Sequence, residues 1–181
     1  MPTNKPVLVT GASGFIAIHC IIQLLEQGYR VRGTLRSMNR ENELRATIAR
    51  FVQADERLAF IQADLLKDDG WTEAVSGCDY VLHIASPFPF EVPEDENELI
   101  RPAKEGTLRV LRAAANNGVK RVVLTSSVAA ISAGYPREKT HFDEKDWSLS
   151  DSPTIGAYPK SKTLAERAAW EFIKNLPPGY A

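Results

Sequence analysis

The chain has 181 residues, with 22 Lys and Arg against 23 Asp and Glu, for a formal charge of -1. That length supports one domain with a proper core. The balanced charge excludes a basic surface built for nucleic acid or membrane, and an acidic disordered tail. Apolar runs are strand-length, too short to cross a bilayer. No signal-peptide layout precedes the first strand.

In chain order, "PVLVT" (6–10) reads as a buried strand, and "FIAIHCIIQLLEQG" as an amphipathic helix that Gly28 ends. Between them lies the turn G-x-x-G-x-x-A. Gly11 lets the backbone turn sharply, and Gly14 permits close approach of a pyrophosphate to the free N–H groups and dipole of the helix N-terminus. Ala17 keeps the helix close to the sheet. A glycine turn alone also serves as a plain tight connection; its place between a first strand and an amphipathic helix favours the nucleotide reading. A second strand, "RVRGTLR" (30–36), ends on Arg36, with Ser37 beside it and Arg40 further on. An NAD site needs an acid here for the ribose 2′-OH, and NADP a cation for the 2′-phosphate. No acid stands there, and the guanidinium fork of Arg36 suits phosphate oxygens, so the cofactor reads as NADP(H). The alternative is a solvated surface arginine.

The helix "NRENELRATIARFV" follows, then a third strand, "LAFIQADL" (58–65). Asp64 at its end suits the adenine amino group or else caps the next turn. "YVLHIAS" (80–86) is a fourth strand, and "NELIRPAKEGTLRVLRAAANNG" a helix that Pro102 should start or bend. "RVVLTSS" (121–127) is a fifth strand. A turn-rich loop then leads to a helix from about Tyr158 to Asn175. Strand–helix alternation with near-continuous apolar strands predicts an α/β fold, a Rossmann-type doubly wound parallel sheet forming one domain over 1–181. Five strands are visible. The turn at Pro177, Pro178 and Gly179 points toward a sixth strand, so the sequence reads as the front part of a longer protein whose C-terminal strand and substrate domain are missing.

Tyr158 and Lys162 are spaced i, i+4 and so share one helical face. A phenol has a reference pKa near 10, and a fixed cation beside it favours the phenolate. Tyr-x-x-x-Lys alone arises often by chance. Ser127, or Ser126, at the end of the fifth strand strengthens it, because ligands of open α/β sheets bind beyond the carboxyl ends of strands. A serine hydroxyl there holds a carbonyl oxygen while tyrosine supplies the proton.

Together, "TGASGFIA", "VLTSS" and "YPKSKTLAE" resemble the extended short-chain dehydrogenase/reductases, in the branch of dihydroflavonol reductase, cinnamoyl-CoA reductase and aldehyde or ketone reductases. "HIASP" (83–87), "PAKEGTLRVLRAA" (102–114) and "FDEKDWS" (142–148) extend the similarity along the whole chain. The resemblance implies that Gly11, Gly14, Phe15 and Ile16 cradle the pyrophosphate, Arg36 holds the 2′-phosphate, Asp64 and Leu65 flank adenine, and Ala85 and Ser86 line the cofactor. Tyr158 would be the general acid, Lys162 would bind the nicotinamide ribose, and Ser127 aligns with the family's catalytic serine, with Ser126 in reserve. Where many relatives carry a relay asparagine, this chain has Ala103, so no such relay is expected.

The expected function is NADPH-dependent reduction of an aldehyde or ketone by a cytoplasmic oxidoreductase, acting as a monomer or homodimer on a small molecule. The alternatives are an NAD-dependent nucleotide-sugar epimerase or dehydratase, against which the missing acid argues, and a dinucleotide-binding module without turnover. Phe88, Phe90, Ile131 and Tyr135 either line an apolar substrate pocket or pack within their own loops. His83 reads as a core residue. His19 and His141 have no metal-site pattern, and Cys20 and Cys78 read as small apolar fillers in a reducing compartment.

Overall fold

The structure, a computed structural model, describes residues 4–88, 91 and 93–177. They group into two compact units. The first is formed by the chain up to Ala85 together with Arg109–Thr125, and the second by Ser86–Leu108 and Ser126–Pro177.

The first unit holds all five strands seen among the described residues: β1 (Val7–Val9), β2 (Val31–Leu35), β3 (Leu58–Gln62), β4 (Tyr80–His83) and β5 (Arg121–Leu124). They pair in parallel in the order β3-β2-β1-β4-β5, with Val7 opposite both Val31 and Tyr80. Chain order reverses direction between β1 and β4. This is the switch point at which a doubly wound sheet opens a crevice beyond its strand ends.

Alternate side chains of the strands feed two cores. Val9, Val31 and Leu35 join Ala17, Ile21 and Leu25 of α1 (Phe15–Glu26) and Leu44 and Ile48 of α2 (Glu41–Ala49). Leu8 and Val81 join Trp71, Ala74 and Val75 of α3 (Trp71–Val75) and Val110, Ala113 and Ala114 of α4 (Asn97–Asn116). This is the period-2 pattern of strands buried on both faces. The doubly wound parallel sheet expected from sequence is therefore present.

The strands are shorter than the sequence suggests, because other bonds take over at their ends. Beyond β1 the glycine turn begins. Beyond β3 the Asp64 carboxylate accepts from the Leu66 N–H at 3.0 Å. Beyond β5 the Thr125 N–H reaches the His83 carbonyl at 2.9 Å, and Ser126 and Ser127 lie past the strand. The helix α3 was not expected: it has only five residues, and it is fixed by its neighbours. The Trp71 indole is 2 % exposed and donates to the carbonyls of Asp64 and Lys67, both at 3.0 Å. Arg32 on β2 donates to the carbonyls of Glu73, Ala74 and Ser76 at 2.7–3.0 Å, satisfying the end of that helix. Burial raises the pKa of the neighbouring Cys78 thiol, which fits its role as a filler. Beside Cys78, just before β4, the buried Asp79 carboxylate bridges Lys5 and Lys120, each at 3.0 Å. Those two ammonium groups hold it below the usual carboxylate range.

The second unit holds the first three turns of α4, the short α5 (Ala129–Ser132) and α6 (Ala157–Lys174). Pro102 does not start α4, which begins five residues earlier; its missing N–H leaves the Glu98 carbonyl without an i→i−4 donor. Glu94–Glu96 lead into the helix. Small residues line α6 where it is buried: Ser161, Thr163, Ala165 and Ala169. The Ser148 hydroxyl donates to the Ala129 carbonyl and accepts from the Ala133 N–H, pinning the loop after α5.

Candidate active site

In the first unit, the turn after β1 is built as the sequence predicts. Gly11 has φ +68, and a Cβ placed on it would lie 3.0 Å from the Ala85 Cβ and 3.1 Å from its Cα. Only glycine meets both conditions without strain. The Gly11 N–H donates to the Thr34 hydroxyl at 2.9 Å, and the Gly14 N–H closes the turn onto the Gly11 carbonyl at 2.8 Å. Gly14 is the N-cap of α1, so the N–H groups of Phe15, Ile16 and Ala17 open the helix with no intrahelical acceptor. Phe15 and Ile16 are exposed, while Ala17 is fully buried against the sheet.

Three residues that sequence reasoning passed over hold this turn. A Cβ on Gly33 would come within 2.7 Å of the Ala12 Cβ and 2.9 Å of the Phe60 ring, so β2 needs glycine where the turn crosses it. Thr34 accepts the Gly11 N–H. Thr10, fully buried, accepts the N–H groups of Ile84 and Ala85, each at 3.0 Å, and its hydroxyl meets His83 Nδ1 at 2.8 Å. With two N–H groups already bonded to its oxygen, Thr10 donates its proton to His83, which makes Nδ1 the acceptor of a neutral imidazole. His83 is thus a core residue that ties the end of β4 to that of β1.

Arg36 follows β2 and is exposed. Its carbonyl accepts from Gln62 at 2.9 Å, and its guanidinium has no partner among the described residues. Arg40, by contrast, is held by both carboxylate oxygens of Glu43, at 3.0 and 2.8 Å. Asp64 caps its turn with Oδ1, and the Leu65 carbonyl accepts from Arg109 at 2.9 Å.

In the second unit, Tyr158 and Lys162 stand one turn apart on α6, as their spacing requires. Tyr158 is half-buried, and Phe88, 72 % exposed, meets its ring edge-on at 5.1 Å. Lys162 is 6 % exposed. Burial lowers its pKa, and the charge of Glu166 one turn further on opposes that shift. The two serines divide. The Ser126 hydroxyl donates to Glu166 Oε2. Ser127 Oγ accepts the Ala129 N–H at 3.2 Å, leaving its proton uncommitted. Ser86 belongs to this unit and Ala85 to the first.

Of the pocket candidates, Tyr135 packs within its own loop. Its hydroxyl donates to the Trp147 carbonyl at 2.8 Å, and its ring lies against Phe142 with Lys139 above it. Phe90, Pro178 and Gly179 lie outside the described residues.

A parallel 3-2-1-4-5 sheet with a glycine turn at its switch point defines a dinucleotide-binding α/β protein. The chain belongs to the NAD dependent epimerase/dehydratase family, whose model matches residues 7–175. It is 42% identical over 177 residues to a cinnamoyl-CoA reductase of Medicago truncatula, covering 93% of this chain and 53% of the relative. It is 39% identical over 182 residues to a dihydroflavonol 4-reductase of Hordeum vulgare, covering 97% and 51%. The structure of yeast methylglyoxal/isovaleraldehyde reductase Gre2 complexed with NADPH superposes with a TM-score of 0.82 at 32% identity, over 93% of this chain and 53% of that one. Vestitone reductase from alfalfa gives 0.77 at 35%, over 94% and 53%. The chain spans about half the length of the curated relatives it matches.

Proposed function

We propose that the chain carries the site of an NADPH-dependent reductase acting on an aldehyde or ketone. The observation that carries this reading is Lys162, 6 % exposed and one turn from Tyr158 on the same helix. The first unit fits the cofactor: a glycine turn that a Cβ would fill, open N–H groups on Phe15 and Ile16 for a pyrophosphate, and the uncommitted Arg36 for a 2′-phosphate. Asp64 and Leu65 would flank the adenine, and Ala85 and Ser86 the rest of the cofactor. NADPH, when bound, supplies the hydride. The chain's own residues handle the oxygen. Ser127 donates a hydrogen bond to the carbonyl oxygen, and Tyr158 delivers the proton as the alkoxide forms. The Lys162 ammonium favours the phenolate left behind. The relative solved with NADPH and the relatives named as reductases support this over a nucleotide-sugar epimerase, as does the absence of an acid after β2.

The serines provide the test. NADPH consumption by the purified chain is followed with a panel of aldehydes and ketones, in parallel for Ser127→Ala and Ser126→Ala. Ser127→Ala should lower kcat by about 10²–10³-fold, the loss typical of one oxyanion donor. Ser126→Ala should keep most of it. Equal losses, or a larger one at Ser126, would overturn the assignment of roles.

A further inference from the structure

Glu166 is the group on α6 that the proposed mechanism leaves unused, yet both its oxygens are engaged. Oε2 accepts the Ser126 hydroxyl, and Oε1 accepts the Trp170 indole N–H at 3.3 Å. Tyr158, Lys162 and Glu166 are spaced i, i+4, i+8, so the carboxylate stands one turn from the lysine on the side opposite the tyrosine. Two neighbouring cations of α6 are engaged elsewhere: Lys160 pairs with Glu96 at 2.8 Å, and Arg167 lies over the Trp147 ring. The short helix α5, which packs against α6, reads Ala-Ala-Ile-Ser and has no titratable side chain. The titratable neighbours of Lys162 one turn away on its own helix are therefore Tyr158 and Glu166.

We propose that Glu166 is a positioning residue: anchored by Ser126 and Trp170, its carboxylate is the counter-ion that keeps the buried Lys162 charged. An ammonium that is 6 % exposed is costly to hold as a cation unless an opposite charge is fixed nearby. A carboxylate free to rotate toward water would do this less well. The hydroxyl of Ser126 keeps it in place. On this account the two adjacent serines have separate tasks, Ser127 toward the carbonyl and Ser126 toward the acid. The value of this arrangement for catalysis rests on the reductase reading, since only a charged Lys162 assists Tyr158. Its electrostatic core does not.

The test is an NMR pH titration of the full chain labelled with ¹³C-lysine, following the Lys162 Cε signal, assigned with Lys162→Arg. Glu166→Gln keeps the side chain's size and removes its charge. Its Lys162 midpoint should fall below that of the wild type. Ser126→Ala should lower it less, and Glu166→Asp should restore much of it. Circular dichroism establishes that each variant folds; if Glu166→Gln does not, Ser126→Ala carries the test. A midpoint that is unchanged or raised in the folded variants would overturn the proposal. The titration uses neither NADPH nor substrate. An inactive chain with the expected shift would therefore sink the reductase reading alone, and an active chain with an unmoved lysine would sink only the role of Glu166.

Discussion

Tyr158→Phe is expected to lower kcat for carbonyl reduction by about 10²–10⁴-fold, the range that a positioned general acid contributes, with NADPH affinity nearly unchanged. The substitution removes one oxygen. The ring remains, and with it the edge-on contact to Phe88 at 5.1 Å, so α6 and the loop before α4 keep their packing. The carbonyl group of the tyrosine, which accepts the Ser161 hydroxyl at 2.7 Å, is untouched. What is lost is the proton that must reach the oxygen as hydride arrives at carbon. Single-turnover measurements at saturating NADPH separate this chemical step from binding. A variant that reduces carbonyls at the wild-type rate would remove Tyr158 from the mechanism.

Gly11→Val is expected to abolish saturable cofactor binding and to destabilise the first unit. At φ +68 a β-branched residue is a backbone outlier, costing about 1–2 kcal/mol for the left-handed conformation alone. Its Cβ would stand 3.0 Å from that of Ala85, and overpacking of this kind adds roughly 1–3 kcal/mol. Together these suggest a loss of about 2–5 kcal/mol in chemical denaturation. The turn that bends to relieve the clash carries the Gly11 N–H away from Thr34 and the Gly14 cap away from its place at the head of α1, so the anion site is lost with it. A folded Gly11→Val chain that binds NADPH as the wild type does would show that the turn is only a connection.

The sheet was legible because each strand is a short apolar run, and buried parallel strands are spelled that way. Strand ends were not, since they depend on where glycine, Asp64 and Thr10 divert the ladder. The five-residue α3 and four-residue α5 contain too little of a helical period to stand out; Arg32 and Ser148 hold them from outside. Gly11 and Gly14 were visible through their place between a strand and an amphipathic helix, and Tyr158 and Lys162 through their spacing together with the serines after the fifth strand. Gly33, Thr34 and Thr10 were not, because each matters through a neighbour far away in sequence: Ala12 and Phe60, the Gly11 N–H, and His83. Glu166 sat in plain view within "YPKSKTLAE", but its bond to Ser126 spans forty residues and no pattern announces it. Resemblance alone ranks Ser127 above Ser126; that Ser126 donates to Glu166 while Ser127 accepts from the Ala129 N–H is not legible in the sequence.

The claim on which the rest depends is that the glycine turn and Arg36 form an NADP site. A titration of the folded chain with NADPH and NADH, following cofactor fluorescence, tests it most directly. The account predicts saturable NADPH binding, with NADH much weaker. In Arg36→Ala it predicts a loss of about 10–100-fold for NADPH, the worth of a charge-assisted phosphate contact, and little change for NADH. Equal binding of the two cofactors, or an Arg36→Ala chain that still prefers NADPH, would contradict it.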